Sequence, residues 1–221
     1  TVFMMLAFVD DAMRRYNRQR FGICGKTVDS TIKNIIMPYL GLSYAKKKYS
    51  LTWRRSEKLL VVKQGKKENY FEIFGGKDES SYMLIQGITL AGVLFDEVAL
   101  MPRSFVEQAL SRAISYEYPK YWFNCNPESP NHYFYKEWLE NQKDGTTHLH
   151  FLLEDNPILT PQMIERTKAM YSGVFYDRYI RGLWVIAEGI IYPMFGKDSI
   201  VPTIERKYSR YVISMDYGIQ N

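Results

Sequence analysis

Short apolar runs closed by polar residues recur along this chain and are separated by stretches in which apolar and polar positions are mixed. The run Ala91–Phe95 is the clearest: it is apolar throughout and stops at two adjacent carboxylates, Asp96 and Glu97. Such a run suits a strand buried on both faces of a parallel sheet. Phe21–Cys24, Tyr121–Cys125 and His148–Leu153 read as further short strands, and Leu51–Lys63 and Asn69–Phe74 as two strands joined around Gly65-Lys66-Lys67. The mixed stretches predict helices. Thr1–Arg18 is apolar almost all round in its first turns, which predicts a helix packed inside the domain. A second helix starts at Thr27, Asp29 or Ser30 and ends near Pro38. Others cover Ser104–Ser115, Asn131–Asn141 and Pro161–Tyr171, the last started by Thr160. Strands alternating with helices predict an α/β domain with a largely parallel sheet flanked by helices. After a linker at 193–207, Tyr211–Met215 reads as the first strand of another domain.

Composition narrows the picture little. Apolar residues make up 46% of the 221, enough for a core, and the net charge of +5 permits a nucleic-acid partner without requiring one. The cations are clustered, in Lys46–Lys48, Arg54–Arg55 and Lys66–Lys67, with Tyr44, Tyr49 and Trp53 among them. Cys24 and Cys125 lie in apolar surroundings and read as buried thiols. No Cys/His spacing fits zinc, and the apolar opening is too short to span a bilayer.

Two acids at a strand end call for a cation or a proton-transfer task, because neither is tolerated there uncompensated. The crevice at the carboxyl ends of parallel strands is where α/β proteins place ligands. Gly25-Lys26-Thr27 mimics the end of a phosphate-binding loop, but that loop needs a glycine at position 20, where Arg stands. It therefore reads as a strand-to-helix turn.

The order of the motifs says more than any one of them. Gln86-Gly87-Ile88-Thr89 precedes the strand ending Asp96-Glu97; Asn124-Cys125-Asn126-Pro127 closes the next; Asp155-Asn156-Pro157, Arg181-Gly182-Leu183-Trp184, Glu188-Gly189 and Met215-Asp216-Tyr217-Gly218 follow. This series resembles the large subunit of phage terminases over nearly the whole chain. The resemblance implies a P-loop ATPase domain at 1–192, a linker at 193–207 and the start of an RNase H-like nuclease at 208–221. It makes Asp96 the Walker B aspartate, Glu97 the carboxylate that activates water, Asn126 the coupling residue that senses the nucleotide, and Thr1 the Walker A hydroxyl beside Mg2+ and ATP. Asp216 matches the first metal-binding aspartate of the nuclease, which would use Mg2+ or Mn2+. Lys46, Lys47, Lys48, Arg54 and Arg55 become candidate contacts to double-stranded DNA. The implied partners are a terminase small subunit, a portal protein and further copies in a ring, in the host cytoplasm and with no membrane. The glycine-rich loop is missing from the chain, which lacks an initiator Met and reads as a fragment expected to be inactive by itself. Arg103 and Arg112 are candidate arginine fingers. The alternatives are another P-loop motor such as a helicase, or a non-catalytic DNA-binding module whose cations grip phosphates.

Overall fold

Strand β5 (Gly92–Phe95) is buried along its whole length because alternate side chains enter two different cores. Leu94 packs on one face with Met5, Phe8, Ile23 and Phe71. Val93 and Phe95 pack on the other with Cys24, Phe105 and Val106. A strand covered on both sides has no polar face to show, which is why the run is continuously apolar.

The computed structural model describes residues 1–141, 145–186, 210 and 212. The chain divides into two units, Thr1–Glu188 and Gly189–Asn221. The expected strand Tyr211–Met215, the 193–207 linker and Asp216 lie outside the described residues, apart from Arg210 and Val212.

The first unit is built on a six-stranded sheet in the order β2-β3-β4-β1-β5-β6. Its strands are β1 (Arg20–Gly25), β2 (Ser50–Arg54), β3 (Leu59–Gln64), β4 (Lys67–Gly75), β5 and β6 (Lys120–Phe123). β4, β1, β5 and β6 run parallel, whereas β2 and β3 add an antiparallel edge. The mixed α/β architecture with a mostly parallel sheet is the one expected.

Helix α1 (Val2–Arg15) crosses the sheet on one face. It buries the stripe Met5, Phe8, Val9, Ala12 and Met13, spaced as one helix face requires, while Phe3 is 82% exposed. The all-round burial expected of this helix is therefore replaced by ordinary amphipathic packing. Phe8 meets the rings of Phe21, Phe71 and Trp122, and so ties the helix to three strands. Asn69, fully buried, secures the turn into β1: its Oδ1 accepts from the Gln19 amide and its Nδ2 donates to the Tyr16 carbonyl. On the opposite face lie a 3-10 helix (Glu79–Ile85) and the later helix Arg103–Ser111.

Several boundaries differ from expectation. Leu51–Lys63 is two strands, because the polar stretch Arg55–Lys58 turns, with Lys58 in the left-handed region at φ 51°. The helix after Gly25-Lys26-Thr27 does not stop at Pro38. It runs as α2 (Val28–Thr31), a π-type turn (Ile32–Ile36) and α3 (Met37–Gly41). In the wide turn the Met37 N–H reaches back to the Ile32 carbonyl, and such widening relieves the clash between a proline ring and the carbonyl four residues before it. His148–Leu153 joins no strand among the described residues; Leu149 and Phe151 stay exposed, and a 3-10 turn forms at Leu153–Asp155. Helix α4 (Ser43–Lys48) carries the lysine cluster. Then follow α5 (Arg103–Ser111), a π-type turn at Tyr135–Glu140, α6 (Pro161–Met170) and α7 (Gly173–Tyr179). Thr160 caps α6 as expected, accepting from the Met163 amide.

Candidate active site

The parallel strands β1, β5 and β6 finish together, and the chain leaving β5 carries Asp96 and Glu97. Asp96 is 7% exposed. Its backbone N–H still belongs to the sheet, donating to the Cys24 carbonyl, so the strand geometry aims its side chain. Oδ1 of Asp96 accepts from the hydroxyl of Thr1, 3.0 Å away, and from Nδ2 of Asn124 at 2.8 Å. Thr1 stands at the N-cap position of α1 but makes no side-chain cap bond to it. Among the described residues no cationic side chain pairs with Asp96, so an almost buried carboxylate is met only by a hydroxyl and an amide.

Glu97 is built differently. Its backbone is left-handed (φ 57°, ψ 51°), its side chain is exposed, and a 3-10 turn (Val98–Leu100) starts behind it. A non-glycine residue there costs on the order of 1 kcal/mol. The surroundings hold it: the Glu97 N–H donates to Oδ1 of Asn124 at 2.7 Å, and the Val98 N–H to the Asn124 carbonyl at 2.9 Å. The kink breaks the strand alternation that would otherwise send neighbouring acids to opposite faces.

Asn124 is thus the hub, its amide oxygen on Glu97 and its amide nitrogen on both Asp96 and Thr1, the latter at 3.0 Å. Reading the sequence singled out Asn126 instead. The signal for Asn124 is register: Phe95 is level with Phe123, which puts Asn124 beside Asp96. Asn126 makes no such contact. It helps line a cavity of about 570 Å3, together with Glu97, Cys125, Thr167, Tyr171 and Tyr179. Burial, and then the charge of Glu128, push the Cys125 thiol up to about 12, so it stays protonated and is no nucleophile at neutral pH. A larger hollow of about 820 Å3 borders the carboxyl half of α1 and contains neither Asp96 nor Glu97.

Gly25-Lys26-Thr27 is a turn, as expected. The Lys26 ammonium donates to the carbonyls of Lys77 and Leu100, and Thr27 caps α2 by accepting from the Ser30 amide. Gly25 is needed for packing, since a Cβ there would run into the Thr31 hydroxyl. Arg103 pairs with Glu107 and Glu137, and Arg112 bonds Ser111. Lys46, Lys47, Arg54 and Arg55 are exposed, Arg54 paired with Glu57 at 3.2 Å, and the half-buried Lys48 is bonded to Asp10.

A family model described as "Terminase large subunit, T4likevirus-type, N-terminal" matches residues 7–196. The chain belongs to the terminase large-subunit family. Among solved terminases, the large terminase of a thermophilic bacteriophage is 49% identical over 94% of this chain, with a TM-score of 0.80. The same phage protein in complex with ADP is 47% identical over 99% of the chain, with a TM-score of 0.81. The chain spans about half of that terminase, 51% and 54% of the two structures. The large terminase ATPase domain of Thermus phage P74-26, at 14% identity and a TM-score of 0.56 over 82% of each chain, shares the fold. None of the curated proteins compared matches this terminase chain.

Proposed function

We propose that this chain is the ATP-hydrolysing motor domain of a terminase large subunit, which moves double-stranded DNA into a procapsid. The observation that carries the reading is the nearly buried Asp96 carboxylate, which bonds Thr1 and Asn124, lacks a cationic partner among the described residues, and is followed by a strained, exposed Glu97. The related terminase of the thermophilic bacteriophage has been solved with ADP and with ATP-gamma-S, in line with a nucleotide site.

The donor set fits a magnesium ion. Thr1 and Asp96 offer hard oxygen ligands, and magnesium is usually held by one or two carboxylates with substrate phosphates completing the shell. When bound, the ion would neutralise phosphate charge and link the nucleotide to Asp96. The remaining work falls to the chain. Asp96 and the Thr1 hydroxyl would hold the ion, Glu97 would accept a proton from the attacking water, and Asn124 keeps the two acids in place. Asn126, on the cavity wall beside Glu97, contacts the terminal phosphate or that water and responds to its loss.

Lys46, Lys47, Arg54 and Arg55 contact DNA phosphates under this proposal, with a small subunit, a portal protein and a ring of like subunits as partners in the host cytoplasm. Among the described residues no helix is long and apolar enough to cross a membrane. Asp216 is assigned to the metal site of a nuclease that cuts concatemeric DNA with Mg2+ or Mn2+.

Glu97→Gln in the full-length protein tests the reading. It should keep ATP binding and lose turnover by about 10²–10⁴-fold, since an amide cannot accept the proton. Turnover near the parental rate would remove Glu97 from the mechanism.

A further inference from the structure

Helix α7 buries one side chain, and that side chain is an arginine. Arg178 is 8% exposed, while Phe175 and Tyr179 of the same helix remain 57% and 41% exposed. Helix α6 buries none. A helix held only for stability anchors more simply through apolar residues, because a buried ion pair rarely outperforms them. The partners of Arg178 show what the charge grips. One guanidinium nitrogen donates to the Glu128 carboxylate at 2.9 Å, the other to the Val185 carbonyl at 3.0 Å, and the Val185 N–H donates to the Glu128 carbonyl at 3.1 Å. Glu128 is therefore clasped through both side chain and backbone.

Glu128 lies four residues beyond Asn124, on the chain that leaves β6. Asn124 holds the acids, Cys125 and Asn126 line the cavity with Glu97, and Glu128 ends in the clasp. Tyr179 and Ile180, next to Arg178 in the chain, line the same cavity. The third guanidinium nitrogen, Nε, is sealed from solvent with no hydrogen-bond partner among the described residues.

We propose that Arg178 is a positioning residue that sets the Asn124–Glu128 segment against the catalytic acids and ties its movement to helix α7. The inference rests on the ATPase reading above. It makes the clasp, not the cavity wall alone, the link through which a change at Asn126 reaches the helical part of the domain. Ion pairs suit such a link because they have discrete made and broken states.

The test measures ATP turnover, KM and binding of a fluorescent ATP analogue for full-length protein carrying Arg178→Gln, Arg178→Lys, Glu128→Gln, or Arg178→Gln with Glu128→Gln. Each single neutralisation should lower kcat about tenfold or more and leave analogue affinity within about threefold, the pattern of lost positioning rather than lost binding. The double variant should be no worse than the poorer single, because both break one clasp. Lysine keeps the charge but not the fork, so Arg178→Lys should recover part of kcat. Unchanged kcat with only a lower melting temperature, or fully additive losses, would overturn the proposal. If Arg178→Gln does not fold, Arg178→Lys and Glu128→Gln decide alone. Failure of the ATPase reading is seen separately, as no magnesium-dependent turnover by the parental protein.

Discussion

Asp96 and Glu97, the acids proposed to hold the ion and accept the proton, carry a one-dimensional signal: an apolar run that ends abruptly in charge. Asn124 carries no such mark, since an asparagine near a proline is ordinary turn chemistry. Its role depends on β6 lying beside β5 in the register that sets Phe95 level with Phe123. Arg178 was equally hidden, being one of many arginines until burial separates it from the rest. Removing the hub should therefore cost more than its composition implies. Asn124→Ala deletes the donor to Asp96 and Thr1 and the acceptor that holds the Glu97 N–H. Turnover is expected to fall about 10²-fold, the scale of misplacing a catalytic group by about 1 Å. Steady-state ATPase assays check this, and a loss smaller than about threefold would show that Asn124 is a spectator.

At the scale of elements, the long periodic helices and the buried strands were legible, whereas the short helices were not. Helices α4 and α7, of 6 and 7 residues, are too brief to show a period. The His148–Leu153 run has strand composition but finds no partner among the described residues, so propensity is overruled by the lack of a neighbouring edge. Helix α4 owes its place to Asp10 on α1, whose carboxylate accepts from Lys48, Tyr44 and Tyr49, each at 2.7 Å. Burial pushes the Asp10 carboxyl up, but the hydrogen bonds from Lys48, Tyr44 and Tyr49 outweigh it and hold the group below its ordinary value. A depressed acid adds stability above its unfolded value, near 4, and loses it as pH falls through the lower native value. Asp10→Asn should thus destabilise at pH 7 by on the order of 1 kcal/mol, a modest amount because both charged partners are about one-third exposed. The gap in urea midpoints between variant and parent should be smaller near pH 3 than at pH 7. An equal gap at both pH values would mean that the carboxylate charge is not what holds α4.

Across the sheet, register sets the two ends of β2, Ser50 and Arg54, at different levels. Lys46 and Lys47 precede Ser50, which pairs with Lys63 and through it is level with Glu68 near the start of β4. Arg54 pairs with Leu59 and is level with Glu72, roughly 13 Å further toward the end where Asp96 stands. Lys48 is already bonded to Asp10. Neutralising Lys46 and Lys47 should therefore reduce the slope of log K against log salt for duplex DNA by ~0.9 for each phosphate that is no longer neutralised. Adding Lys48→Gln should change it little; a further equal decrement would show that Lys48 leaves Asp10 for DNA. The α/β class, the buried central strand, the acids at its end and the family were carried by the order of residues along the chain, because burial on two faces and a strand-end charge both leave linear patterns. The hub at Asn124 came from strand order and register and the clasp at Arg178 from tertiary packing, which bring together residues far apart in sequence, as Thr1, Asp96 and Asn124 are, and so leave no local pattern to read.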